Sequence, residues 1–191
     1  CSITMHQGKK VISRAGDSIL REVNEIVMMD DFKGHITDMG RPSANMYKME
    51  GADRALCIKC GRPSCLYPSI CNNLVFDHGP LLKIYRAAEK IPGVKKISVS
   101  SGIRYDLLLC GDEIKRKKYS CDEYVKKLVR DHVSGRLKVA PEHTSDRVLN
   151  LMRKPSYSLF EKFRKIFKDI SAAAGLKQHI IPYFISSHPG S

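Results

Sequence analysis

The chain has 191 residues, 42% of them hydrophobic, so it can bury one sizeable core, and its length favours a single domain, residues 1–191. It has no apolar run of about 18 residues, which excludes a membrane-spanning helix from this sequence. The 33 basic residues outnumber the 20 acidic ones and give a net charge of +13. That charge suits a nucleic-acid partner, and it equally suits solvated lysines on exposed helix faces.

The N-terminal residues and the cysteines indicate a compartment. His6, Lys9 and Lys10 lie in a stretch without an apolar run, so no secretory signal is expected here. Seven cysteines in a chain without such a signal are more typical of reduced thiols or metal ligands than of disulfides. We therefore expect a cytoplasmic protein.

The first half of the chain predicts two helix-then-strand units. Asp17 or Ser18 can cap a first helix, and the strand GHITDM, residues 34–39, follows it. Pro80 suits the first turn of a second helix, which should end near Gly93 before the strand VKKISVS, residues 94–100. The residues expected on the apolar faces are Ile19, Leu20, Val23, Ile26 and Val27 in the first helix and Leu81, Leu82, Ile84, Tyr85 and Ala88 in the second.

The second half repeats the pattern. Ser120 with Glu123, and Ser158 with Glu161, have capping-box spacing and predict the starts of two further helices. The strand LKVA, residues 137–140, should follow the third helix, and HIIPYFIS, residues 179–186, should follow the fourth after a stop at Gly175. The predicted core residues of these helices are Val125, Leu128, Val129, Phe160, Phe163, Phe167 and Ile170.

Four helix-then-strand units predict an α/β fold with parallel strands and crossover helices. Periodicity alone leaves two architectures open, a doubly wound sheet and a barrel. In a barrel of parallel strands, the loops at the carboxyl ends of the strands surround one mouth and carry the chemistry.

The stretch from residue 41 to residue 78 interrupts this alternation and contains four cysteines within fifteen positions: Cys57, Cys60, Cys65 and Cys71. Four thiolates can hold a tetrahedral zinc ion or a second iron–sulfur cluster. If a metal binds, we expect Cys60, Cys65 and Cys71 to converge, with Cys57 or His78 as the fourth ligand. Free thiols in a loop are the alternative.

Six segments, in this order, carry a resemblance to a known family. They are CSITMHQGK, RPSANMY, CGRPSCLYPSICNNL, SSGIRYDLLL, HVSGRLKVAPEHTSDRVLNLMRKP and PYFISSHPGS. On these segments the chain resembles the YgiQ-type radical S-adenosylmethionine (SAM) proteins from end to end. The resemblance implies a partial (β/α) barrel, truncated at both ends, with residues 41–78 as a Cys-rich insertion after an early strand.

The resemblance also implies a cofactor. Cys1 corresponds to the third cysteine of the CxxxCxxC motif that holds a 4Fe-4S cluster in radical SAM enzymes. Such a cluster passes one electron to SAM and generates a 5'-deoxyadenosyl radical, and an electron donor such as flavodoxin or ferredoxin is the implied partner. Because the other two cysteines of the motif are absent, we expect the chain to be inactive alone.

Residues that follow the predicted strands are the candidates for holding SAM. Met39 and Gly40 begin a segment, ending in Arg41 and Pro42, that corresponds to the Gly-Gly-Glu-Pro contact to the SAM amino group in related enzymes; the alternative is a simple turn. Ser101 and Arg104 follow the next strand and can reach the ribose or the carboxylate of SAM. A surface Arg104 beside Asp106 is the alternative.

Three further candidates belong to the last two strands. Glu142 is placed to accept from the ribose hydroxyls, because a carboxylate accepts from two donors at once. His143 can donate a proton or merely pack, and His188 can line the substrate pocket. These three are the predicted catalytic residues.

Two other functions remain open. The charge and the methylthiotransferase-like stretch DRVLNLMRK favour a radical SAM enzyme that modifies RNA. The cysteines and the charge together also fit a zinc-binding nucleic-acid module without catalysis.

Overall fold

The computed structural model describes residues 11–40 and 43–189, a fold of helices and short strands. The helices are α1 (Gly16–Val27), α2 (Arg54–Ile58), α3 (Gly79–Glu89), α4 (Tyr105–Leu108), α5 (Glu113–Lys118), α6 (Cys121–Lys127), a π-helical turn (Leu128–His132), α7 (Asp146–Leu151) and α8 (Tyr157–Ala173). The strands are β1 (His35–Ile36), β2 (Glu50–Gly51), β3 (Leu74–Val75), β4 (Lys96–Ile97), β5 (Arg136–Glu142) and β6 (His179–Phe184).

The predicted parallel pairing is confirmed for two pairs of strands. β1 pairs in parallel with β4, and β5 pairs in parallel with β6. Helix α3 connects the first pair, and α7 and α8 connect the second, as crossover connections require. Within the described residues the sheets remain pairs rather than one closed sheet, so the partial barrel stays a prediction.

The two parallel pairs lie next to each other. The backbone N–H of Val99, just after β4, donates to the carbonyl of His132, just before β5, at 2.8 Å. Val99 also belongs to the same buried cluster as Leu137 and Val139 of β5. The β1–β4 pair therefore lies beside β5.

The main core forms where α3, α6 and α8 pack against the strands. Phe163 of α8 is fully buried, with its ring centroid 5.9 Å from that of Tyr105 and 6.5 Å from that of Phe167. All five apolar residues predicted for the second helix are buried, as are Val125, Leu128, Val129, Phe160, Phe163 and Phe167. Burying side chains of this size stabilises the fold by about 1.5–3 kcal/mol each.

Among the predicted N-caps, only Ser120 is confirmed in position, and its predicted capping bond does not form. Ala15, not Asp17 or Ser18, is the N-cap of α1. Ser120 precedes α6 in the left-handed region, at φ 52°, and its side chain makes no capping bond. The N-cap of α8 is Ser156, which accepts from the N–H of Ser158. The predicted elements were correct in kind, whereas the capping boxes were wrong.

The Cys-rich insertion contains a small antiparallel sheet of its own. Glu50 pairs with Val75 and Gly51 with Leu74, so β2 and β3 close the base of a long loop. No helix within residues 11–40 and 43–189 is long and apolar enough to cross a bilayer.

Candidate functional site

A strand-end carboxylate joins the loops that follow β1 and β4. Asp38 Oδ1 accepts from the backbone N–H groups of Ser100, at 3.0 Å, and Ser101, at 3.2 Å. The Ser101 hydroxyl donates to Asp38 Oδ2 at 2.5 Å. Ser101 thus lies where the sequence predicted it, at the carboxyl end of β4, with its hydroxyl proton already engaged by Asp38.

The predicted SAM amino contact begins at Met39. The Met39 N–H donates to the carbonyl of Ser98 at 3.0 Å, and the Met39 carbonyl accepts from the buried Tyr85 hydroxyl at 3.1 Å. A Cβ atom on Gly40 would lie 2.7 Å from the Ala44 Cβ, so this backbone needs glycine for close approach. The Gly40 carbonyl is therefore the more available acceptor for a ligand's amino group, because the Tyr85 hydroxyl already donates to the Met39 carbonyl. Arg41 and Pro42 lie outside the described residues.

Arg104 is paired with its neighbour. Its Nε donates to Asp106 Oδ1 at 2.9 Å, and a second guanidinium N–H donates to Oδ2. The guanidinium and the carboxylate therefore form a bidentate ion pair. Burial alone would lower the pKa of Arg104, but the hydrogen bond and the charge of Asp106 raise it. The Arg104 side chain remains 27% exposed, which leaves its remaining N–H donors accessible to an anionic ligand.

A buried polar network fixes the backbone of Arg104. Asn45 Oδ1 accepts from the Arg104 N–H at 2.7 Å, and Asn45 Nδ2 donates to the Arg104 carbonyl at 2.9 Å. The same amide lies 3.4 Å from His78 Nε2, while His78 Nδ1 donates to the Tyr119 carbonyl at 3.1 Å. Burial lowers the pKa of His78 to about 4 against the opposing effect of the Tyr119 hydrogen bond. This neutral imidazole joins the end of the insertion to the loop after β4.

Glu142 ends β5 in an unusual backbone conformation. Its φ is 70°, which is uncommon for a residue with a Cβ and is found where the surrounding structure holds it. The β5–β6 register shifts between Val139 and Glu142, and the Glu142 carbonyl accepts from the Ile185 N–H at 2.7 Å. Its Oε1 accepts from Lys154 Nζ at 2.8 Å, with the two side chains 16% and 22% exposed. Glu142 is thus a half-buried carboxylate with one oxygen engaged.

The two candidate histidines differ in their surroundings. His143 Nδ1 accepts from the backbone N–H of Ser145 at 2.9 Å, so His143 helps to begin α7. His188 follows β6, is partly exposed, and lies with Nδ1 2.7 Å from the Pro189 carbonyl. The structure gives His143 a local structural role, and the predicted catalytic role of either histidine stays a prediction.

Electrostatics links the strand ends to one another. Burial raises the pKa of Tyr105 above its usual range, and the charges of Asp106 and then Glu142 act in the same direction. The loop after β4 also approaches β5, because a Cβ atom on Gly102 would lie 4.0 Å from the Lys138 carbonyl oxygen. We call Asp38, Ser101, Arg104 and Glu142, which lie at or after the carboxyl ends of β1, β4 and β5, the polar edge.

The cysteines predicted as ligands fall into two groups. Cys1 lies outside the described residues. Cys57, Cys60 and Cys65 are exposed, Cys71 is half-buried, and all four are free thiols. Among the residues that the structure describes, no three His, Cys, Asp or Glu side chains already form a coordinating group. His78 is 1% exposed and both its ring nitrogens have hydrogen-bond partners, which favours Cys57 over His78 as the fourth ligand.

The sequence did not single out Asp38, a member of the polar edge, or Lys154, which pairs with Glu142. Asp38 directly precedes Met39 at the end of the predicted strand, a position where a carboxylate in an α/β protein faces the mouth. Lys154 lies twelve residues after Glu142, and only the turn of the chain through α7 brings them together. The position of Asp38 at a strand end could have been recognised from the sequence, whereas no sequence pattern indicates the pairing of Lys154 with Glu142.

Curated proteins from bacteria are similar to the chain over its whole length. It is 57% identical over 190 residues to a UPF0313 protein of Bacteroides thetaiotaomicron and 56% identical over 190 residues to one of Porphyromonas gingivalis. A UPF0313 protein of Chromobacterium violaceum is 45% identical over 192 aligned positions. The chain spans 31%, 30% and 24% of these relatives, respectively. No protein-family profile matches the chain.

Proposed function

We propose that the chain is the SAM-binding part of a YgiQ-type radical SAM enzyme. UPF0313, the name of the relatives, designates the YgiQ family, which supports the resemblance drawn from the sequence motifs. The observation that carries the proposal is the polar edge, because carboxyl ends of parallel strands are where such folds bind ligands.

The polar edge matches the polar groups of SAM. SAM presents an ammonium group, which needs hydrogen-bond acceptors, and a carboxylate, which needs a cation. Its two ribose hydroxyls need a further acceptor. The Gly40 carbonyl and the Asp38 carboxylate can accept from the ammonium group. The Arg104 guanidinium suits the carboxylate, and Glu142 suits the hydroxyls. The residues present fit the ligand.

Each residue has a distinct task in this proposal. Lys154 holds Glu142 Oε1, so Oε2 is the oxygen that we expect to accept from a ribose hydroxyl. Asp106 fixes the plane of the Arg104 guanidinium, and Asn45 fixes its backbone, so Arg104 loses little freedom when an anion binds. Asp38 ties the β1 and β4 loops together, which sets the position of Gly40 relative to Ser101.

The proposal includes a 4Fe-4S cluster because Cys1 corresponds to the third cysteine of the CxxxCxxC motif. When bound and reduced, a 4Fe-4S cluster supplies the electron that cleaves SAM to the 5'-deoxyadenosyl radical. The remaining work of the chain is to bind and orient SAM and to exclude water.

The test is SAM affinity in the full-length protein that contains this chain. Glu142→Gln keeps the shape of the side chain but removes its charge, so SAM binding should weaken by about 10- to 150-fold, or about 1.5–3 kcal/mol. Iron content should not change, because the expected partner of Glu142 is the nucleoside. Glu25→Gln, at an exposed position on α1, is the matched control and should bind SAM like the wild type. Equal affinity of wild type and Glu142→Gln in calorimetric titration would exclude Glu142 from the site.

A further inference from the structure

Hydrogen bonds within the Cys-rich insertion join the turns that carry its four cysteines. β2 and β3 close a loop that runs from Ala52 to Asn73, and the Ala52 N–H donates to the Asn73 carbonyl at 2.8 Å. Inside this loop the Cys71 N–H donates to the Cys65 carbonyl at 2.8 Å, which closes a second, smaller loop. The last two cysteines are thus joined through the backbone.

The first two cysteines are joined in a similar way. Asp53 caps α2 by accepting from the Ala55 N–H at 2.8 Å and the Leu56 N–H at 3.2 Å. The Cys60 N–H donates to the Cys57 carbonyl at 3.2 Å, so Cys57 and Cys60 lie on one turn at the end of α2. A C-x-x-C turn of this kind presents two thiols to one ligand.

Asn73 connects the two cysteine pairs. Its Nδ2 donates to Cys57 Sγ at 3.2 Å and to the Asp53 carbonyl at 2.8 Å, and its Oδ1 accepts from the Asp53 N–H at 2.8 Å. Asn73 follows Cys71 by two residues, so these bonds bring Cys57 beside the Cys71 end of the loop. A side-chain amide that donates to a cysteine sulfur is also how outer-shell groups orient thiolate ligands.

We propose that Cys57, Cys60, Cys65 and Cys71 form a tetrathiolate site for a metal centre, either one zinc ion or an iron–sulfur cluster, separate from the cluster assigned to Cys1. All four thiols are free, three of them are exposed and Cys71 is half-buried, so none is locked in a disulfide or in the core. The centre would order the loop between β2 and β3, which has little apolar core of its own.

The experiment uses the full-length protein that contains this chain, purified without oxygen from cells supplied with iron and zinc. Zinc, iron and acid-labile sulfide are counted per chain in the wild type, in Cys57→Ser/Cys71→Ser and in Asn72→Ser. Asn72 is exposed and adjacent to Cys71, so Asn72→Ser is the matched control. The double variant should lose one zinc per chain or, if the centre is a cluster, about two to four irons with their sulfide. Asn72→Ser should lose neither.

Two further arms separate this site from the proposed SAM cluster. Cys1→Ser should remove the iron of that cluster and leave the metal of the insertion in place. In the wild type, alkylation mapped by mass spectrometry should find Cys57, Cys60, Cys65 and Cys71 protected as isolated and modified after chelation. The latter measurement needs no variant to fold. A double variant with the metal content of the wild type, or full alkylation of the four thiols without loss of metal, would overturn the proposal.

Discussion

The buried His78 should make the stability of the chain depend on pH. His78 is 1% exposed and holds the loop after β4 through Asn45. Burial lowers its pKa from 6.5 to about 4, so between these values the unfolded chain binds a proton that the folded chain does not. The contribution of His78 is therefore complete above about pH 6.5 and is lost as the pH falls toward 4.

The size of the effect follows from the two pKa values. At 1.36 kcal/mol per pH unit, the free energy of unfolding should fall by about 2 kcal/mol at pH 5 and by about 3 kcal/mol at pH 4 through this one residue. The buried His132, whose pKa is also lowered by burial, contributes to the total fall. A difference between variants is needed to isolate His78.

His78→Gln supplies that difference, because glutamine can donate and accept without titrating. Urea unfolding followed by far-ultraviolet circular dichroism, at about pH 7 and pH 5, gives the fall in the free energy of unfolding for each protein. The fall should be about 2 kcal/mol smaller for His78→Gln than for the wild type. His179→Gln, at an exposed position, should behave like the wild type. An equal fall in His78→Gln and wild type would show that His78 does not cause the pH dependence.

Two predictions concern packing and backbone. Phe163→Ala removes a fully buried ring that stacks on Tyr105, and urea unfolding should show a loss of about 3–5 kcal/mol; a loss below 1 kcal/mol would contradict the core assignment. Gly93 has φ +94°, and a Cβ there would lie 2.8 Å from the Val27 Cγ1, so Gly93→Ala should cost about 1–3 kcal/mol. Gly61→Ala, where a Cβ meets nothing within 4 Å, should change stability little, and equal losses in the two variants would argue against strain at Gly93.

The sequence predicted the features that depend on periodicity. Leu81, Leu82 and Tyr85 recur at helical spacing, and the structure buries all three in α3, because one apolar face must pack against the strands. Gly175, with φ +66°, lies just after the end of α8, where the sequence predicted that a glycine would stop the helix. Parallel pairing followed from the alternation of helices and strands.

The sequence did not predict features that depend on distant partners. Ser120 has the spacing of a capping box, but its left-handed backbone takes its side chain away from the first turn. Glu142 meets Lys154, and Asn45 meets His78 and Arg104, only after the chain has folded back on itself. Short sequence motifs reflect contacts between residues that are close in sequence, so they do not predict these contacts between distant residues.

SAM cleavage by the full-length protein that contains this chain tests the proposed function most directly. The protein is reconstituted with iron and sulfide without oxygen, reduced with dithionite and incubated with SAM, and 5'-deoxyadenosine is measured by chromatography. The wild type should bind about four irons for this cluster and release 5'-deoxyadenosine, whereas Cys1→Ser should do neither. A reconstituted wild type that forms no 5'-deoxyadenosine would contradict the proposed radical SAM activity, and a Cys1→Ser variant that forms as much as the wild type would contradict the assignment of Cys1 to the cluster.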